Sequence, residues 1–160
     1  MAELRIGHGF DVHALVKGRA LKLGGVTIPH PKGLAGHSDA DTLLHAVADA
    51  FLGAVGGGDI GVWFPDSDPG WRDADSRQLL QTIVEAESHR PWRLVNLDCT
   101  IAAERPRLAP HILEMRQTLA AIFSSTVEQV SVKATTCERL GFIGREEGIA
   151  AWAVLLLHRQ

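Results

Sequence analysis

Hydrophobic positions recur along the chain with two different periods. Apolar-rich runs at residues 4–6, 21–23 and 26–28 predict short strands, the second and third joined at Gly24-Gly25 as a hairpin. Leu44, Val47, Ala48 and Phe51 fall at helical intervals behind Ser38, whose spacing to Asp41 resembles a capping box. This predicts a helix that opens at Ser38 and ends near Gly53. A second helix, capped by Asp75 or Ser76, would bury Leu79, Leu80, Ile83 and Val84 and exit near His89-Arg90-Pro91. Val95, Leu97, Cys99 and Ile101 alternate with Asn96, Asp98 and Thr100, the period of a half-buried strand. Pro110 is placed to open a third helix with Ile112, Met115, Leu119, Ile122 and Phe123 along one side. Strands over 129–134 and 149–157 complete the pattern. The last is apolar on both faces, which predicts cover on each side, one of them available from a neighbouring subunit.

No repeat, charge block or low-complexity linker divides these elements, so residues 1–160 read as one domain. A chain of 160 residues with 46% hydrophobic content can bury roughly two-thirds of its unfolded surface around one core. The formal net charge of -3 provides no global positive field, which argues against nucleic acid or an anionic membrane as partner. An anionic ligand would need local cations or a metal. Cys99 and Cys137 stand far apart without a CxxC pair, which fits a reducing compartment and leaves any metal to His and carboxylate ligands. The start MAELRIGHGF carries no leader pattern, and the nine-residue apolar run 149–157 is far below the roughly 20 residues of a membrane span, so a cytoplasmic location is expected.

Asp11-Val12-His13 puts a carboxylate and an imidazole on one side of an extended segment, where both can share an ion. His45 offers a third ligand within the ladder Asp41, His45, Asp49, and either aspartate could orient a ligating histidine. Three N/O ligands leave a fourth position open, the count of a catalytic zinc. A DxH pair by itself is more often a solvated or hydrogen-bonded pair, and a lone helical histidine more often a surface one.

The specific signal lies in the segments IGHGFDVHAL, GLAGHSDADTLLHA, GDIGVWFPDSDP, KATTCERLGF and GREEGIA, in this order over almost the whole chain. Together they closely resemble the 2-C-methyl-D-erythritol 2,4-cyclodiphosphate synthases. The resemblance implies an α/β (α+β) fold: a single domain with a mixed β-sheet packed by helices on one face, assembling as a homotrimer with active sites between subunits. It implies zinc on Asp11, His13 and His45, and a magnesium or manganese ion on Glu138. His37 and Thr136 are implied as transition-state stabilisers and Ser38 as a phosphate contact.

Asp59, Ile60 and Gly61, with Phe64, Pro65, Asp66, Ser67 and Asp68, match the family's pocket for the methylerythritol portion; from composition alone they are turn residues. Ala103, Glu104, Arg105, Pro106, Arg107, Leu108 and Ala109 match its cytidine loop. Ala134 and Thr135 match the remaining diphosphate site, and Phe142 and Arg145 match positions near the trimer axis and substrate edge. Arg145 could equally pair with Glu146 or Glu147. The chain departs from the family's usual residues at Ala40 and Glu146, where glycine is common, at Arg107, and at Cys137-Glu138-Arg139. The implied reaction closes the cyclic diphosphate of a small-molecule diphosphocytidyl substrate and expels CMP. A metal-dependent phosphoesterase, or a trimeric nucleotide-binding protein with a structural metal, are the competing readings.

Overall fold

The computed structural model describes residues 3–160. A five-stranded mixed sheet has the order β4-β1-β7-β5-β6, built from β1 (Leu4–Lys17), β4 (Lys32–Leu34), β5 (Trp92–Ala102), β6 (Val130–Thr135) and β7 (Gly148–Arg159). Only β5 and β6 run parallel; β7 pairs antiparallel with both β1 and β5. The predicted hairpin forms a separate ribbon of β2 (Leu21–Leu23) and β3 (Val26–Ile28). Helices α1 (Thr42–Val55), α3 (Ser76–Glu85) and α4 (Ile112–Ile122) supply the apolar cover, with the single turns α2 (Ile60–Trp63) and α5 (Gly141–Gly144) at the periphery.

β1 runs well past the residues 4–6 that its hydrophobicity marks. Its helix-facing positions are Gly7, Gly9, Asp11, His13 and Leu15, so the usual inward apolar row is replaced by glycines and site residues. The glycines have a steric reason: a Cβ on Gly7 would stand 1.7 Å from the Ala50 carbonyl oxygen, and one on Gly9 1.9 Å from that of Ala46. α1 answers with Ala46, Ala50 and Ala54 at four-residue spacing, and the two backbones come into close approach.

β7 shows the two-faced character read from its sequence, but within one chain only one face is covered. Ile149, Ala151, Ala153, Leu155 and Leu157 are buried under the helices, whereas Trp152 and Val154 are 36% and 44% exposed. On the same open face β1 presents Ile6, Phe10 and Val12, Phe10 resting against Trp152 with ring centroids 5.2 Å apart. Only the edge of this face is lapped, where Ile143 of α5 packs with Ala102 and Ala150.

Two boundaries differ from the periodicity. α1 is capped by Asp41, not Ser38, and runs to Val55 with Gly56 as its C-cap, two residues past the expected end near Gly53. Asp41 accepts from the Leu44 amide at 3.0 Å and from Gly24 and Gly25 at 2.9 and 2.7 Å, so one buried carboxylate closes both the helix and the hairpin turn. In β5 a bulge between Leu94 and Asn96 turns Val95 outward and Leu94 inward, which corrects the expected alternation at Val95.

Candidate active site

The long β1 and the first turns of α1 meet where the glycine row ends. Asp11 and His13 project from β1 towards the helix, and His45 projects from α1 to meet them. Asp11 Oδ2 lies 3.0 Å from His13 Nε2 and 3.2 Å from His45 Nδ1, and the two ring nitrogens are 3.2 Å apart. One donor atom from each residue therefore falls within 4.8 Å of the others.

The outer nitrogens are occupied elsewhere. His13 Nδ1 is 2.7 Å from the Ala35 carbonyl, to which it must donate, so in the neutral ring the Nε2 lone pair faces inward. His45 Nε2 is 3.0 Å from Ser76 Oγ and 3.2 Å from Ser38 Oγ. Outward N–H groups and inward lone pairs are what imidazole ligands require. Burial works to raise the Asp11 pKa, but hydrogen bonds and charge from the two histidines carry it well below the ordinary carboxylate range. Burial works to lower that of His13, yet the Asp11 carboxylate raises it above its usual value. Three inward donors with such supports fit a divalent cation with a coordination position to spare.

The expectation that Asp41 or Asp49 orients a ligand is corrected by their bonds. Asp41 is committed to the Gly24, Gly25 and Leu44 amides, and Asp49 accepts from the Ile60 amide at 2.8 Å. The orienting groups are instead the Ala35 carbonyl, Ser38 and Ser76. No periodicity distinguishes them from turn and cap residues.

A cavity of about 370 Å³ opens on the triad and is lined also by His37, Ser38, Ile60, Gly61, Phe64, Pro65 and Asp66. Trp71 and Leu79, which the sequence did not single out as site residues, complete its wall. Asp59 and Asp68 act beside it as caps, bonding the Val62 and Gly70 amides at 3.0 and 2.9 Å, and Ser67 does not line it.

A second cavity, about 410 Å³, is formed by Ala103, Glu104, Arg105, Pro106, Arg107, Leu108 and Ala109 facing Ala134, Thr135 and Thr136. Glu104 ties this loop to the turn after β6 by accepting from the Cys137 and Arg139 amides, both at 3.4 Å. Thr136 donates its hydroxyl to Glu138 at 3.1 Å, and Glu138 is exposed. Phe142 lies apart, among Cys137, Leu140 and Ile143, and Arg145 pairs with Glu147 at 3.0 Å. The linings of these two cavities share no residue.

Comparison with known proteins extends these observations. The YgbB family matches residues 4–158. A 2-C-methyl-D-erythritol 2,4-cyclodiphosphate synthase of Geobacillus kaustophilus (strain HTA426) is 61% identical over 155 residues, covering 97% of this chain and 98% of its own. A solved 2C-methyl-D-erythritol-2,4-cyclodiphosphate synthase in its CDP-bound form superposes with a TM-score of 0.86 at 37% identity, over 96% of this chain and 99% of that one. The bifunctional IspDF from Campylobacter jejuni superposes at 0.94 and 39% identity; this chain is covered completely but spans only 43% of that larger protein. With the match running along nearly its whole length, this chain belongs to the YgbB family.

Proposed function

We propose that the chain is a 2-C-methyl-D-erythritol 2,4-cyclodiphosphate synthase that converts 4-diphosphocytidyl-2-C-methyl-D-erythritol 2-phosphate to the cyclic diphosphate and CMP. The observation that carries the reading is the convergence of Asp11, His13 and His45 in the lining of one cavity, in a chain whose close relatives bear that name. The 2-phosphate, whose second pKa is about 6, is largely dianionic at neutral pH and needs no base to become a nucleophile. One of its oxygens forms a bond to the β-phosphorus; the bond from that phosphorus to the bridging oxygen breaks, and CMP departs with that oxygen. Catalysis is thus a matter of bringing two anions together in line and neutralising them.

Asp11, His13 and His45 would hold zinc, and Glu138 a magnesium or manganese ion. Such cations supply positive charge to phosphate oxygens and orient them. His37 and Thr136 are assigned to stabilising the transition state and Ser38 to a phosphate oxygen. Ile60, Gly61 and the segment Phe64, Pro65 and Asp66 would enclose the methylerythritol portion, with Asp59, Ser67 and Asp68 shaping the turns behind them. The loop Ala103 to Ala109 with Ala134 and Thr135 would receive the cytidine end, and Phe142 and Arg145 lie towards the subunit junction.

A homotrimer with active sites between neighbours accounts for two features. The exposed face around Phe10 and Trp152 needs cover, and the metal cavity and cytidine-loop cavity are separate within one chain. Incubation of the protein with the diphosphocytidyl substrate, zinc and magnesium, followed by phosphorus NMR, should show the cyclic diphosphate and CMP. His45→Ala should lose turnover while keeping its circular dichroism spectrum. Incorporation of oxygen from labelled water into the phosphate product would reveal hydrolysis and overturn the reading.

A further inference from the structure

Behind His45, on the side away from Asp11, a chain of polar groups leads to a residue with no contact to the triad. Ser76 is the first residue of α3 and is buried. Its hydroxyl donates to Asp39 Oδ1, and its amide donates to Asp39 Oδ2 at 3.2 Å. Asp39 also accepts from Lys22 Nζ at 3.3 Å, and its own amide is anchored on the Ala74 carbonyl at 3.0 Å. Surrounded by donors, this carboxylate accepts only, so the Ser76 proton is committed to it and only lone pairs remain for His45. Ser76 Oγ, 3.0 Å from Nε2, is thereby set to accept the imidazole proton, in competition with Asp11 Oδ2, 3.2 Å from Nδ1 on the other side of the ring. Ser38 Oγ reaches the same nitrogen at 3.2 Å and accepts from the Ala40 amide at 3.1 Å, but among the described residues no other acceptor fixes its hydroxyl proton, so it can serve either tautomer.

We propose that Asp39, acting through Ser76, is a positioning residue that fixes His45 in the Nε2-protonated tautomer and so keeps a ligand lone pair directed into the metal triad. The proposal rests on the reading that Asp11, His13 and His45 hold a divalent cation. It makes the start of α3, brought beside α1 by the 37–39 loop, part of the metal centre's support. The same loop is tied to the segment before α3 by the Asp73 amide, which donates to the His37 carbonyl at 2.8 Å.

The test is Asp39→Asn in the full chain. An asparagine amide can donate to Ser76 Oγ, turning the serine hydroxyl round to donate to His45 Nε2 and moving the ring proton to Nδ1. Nitrogen-15 NMR of the metal-free protein, well above the ordinary imidazole range, should show the Nε2–H form in the unaltered protein and the Nδ1–H form in the variant. Zinc affinity, measured against a competing chelator, should fall about 10- to 100-fold in Asp39→Asn. Ser76→Ala, which removes the acceptor outright, should weaken zinc in the same direction. Excess zinc should restore turnover of Asp39→Asn, which a general distortion of the pocket would not permit.

An Nδ1–H tautomer in the unaltered protein overturns the proposal whether or not the variants fold. So does wild-type zinc affinity in Asp39→Asn, or, where the unaltered protein turns substrate over, failure of excess zinc to rescue the variant. Tautomer and zinc affinity are read without substrate. Failure of the unaltered protein to form the cyclic product would therefore sink the enzymatic reading and leave the relay standing.

Discussion

At the scale of single residues, environment separates two side chains of the same type. Cys99 is buried on the helix side of β5, where desolvation pushes its thiol up to about 12 from 9.0. Cys137 is only half-buried, beside the Thr136–Glu138 turn. A thiol-reactive disulfide reagent at mildly alkaline pH should modify one cysteine in the folded protein and the second only after denaturant is added. Equal rates at both sites would contradict the buried placement of Cys99. Because the folded value lies above the unfolded one, Cys99 contributes to stability below the ordinary thiol value of 9.0. That contribution is lost as pH rises from there towards 12. The aspartate and histidines of the triad were legible because ligand spacing is a local property of a strand and a helix. Ser76 and Asp39 were not, because a hydroxyl at a helix start looks identical whether it caps, bonds an imidazole or meets water. Ala40 and Glu146, where the resemblance leads to an expectation of glycine, have φ of 55° and 57°, a left-handed conformation that costs an L-residue about 1–2 kcal/mol.

At the scale of elements, the contact between β1 and α1 decides where the triad sits. The glycine–alanine seam draws the helix onto the strand, and the residues just beyond it, Asp11, His13 and His45, inherit that registration. Gly9→Ala would drive a methyl group into the Ala46 carbonyl, and no side-chain rotation relieves a clash with backbone. Overpacking of this kind costs about 1–3 kcal/mol or more. The variant should therefore show a lower denaturation midpoint and, in what remains folded, weaker zinc binding. An unchanged midpoint would mean that the helix does not lie as closely as described. This seam also explains why β1 was read as only three residues long. Its inward row has no apolar periodicity, since Gly7, Gly9, Asp11 and His13 occupy positions that Val or Ile would fill in an ordinary strand. The β5 bulge escaped for a related reason, because a one-residue insertion leaves composition unchanged while reversing the face. Long periodic segments are the most legible: α3 and α4 turn the expected residues to the core, Leu79, Leu80, Ile83, Met115, Leu119 and Phe123 buried, while Val84, Ile112 and Ile122 are only partly so.

At the scale of the whole molecule, the open face of the sheet and the pair of disjoint cavities call for neighbours. Ile6 and Phe10, 73% and 46% exposed, lie beside Trp152 and Val154 on a sheet face that no helix of the described residues covers. Light scattering should return a mass near three chains, and Phe10→Glu with Trp152→Glu should reduce it; a monomeric unaltered protein would remove the trimer from the reading. The separation of the cavities also has a genetic corollary. If each reaction centre joins the imidazole cluster of one protomer to the pyrimidine loop of the next, a defect in either half is recessive at the level of the site. Co-refolding inactive His45→Ala with an inactive Thr136 variant should then restore roughly one quarter of normal flux, the random-mixing share of junctions that inherit two sound halves.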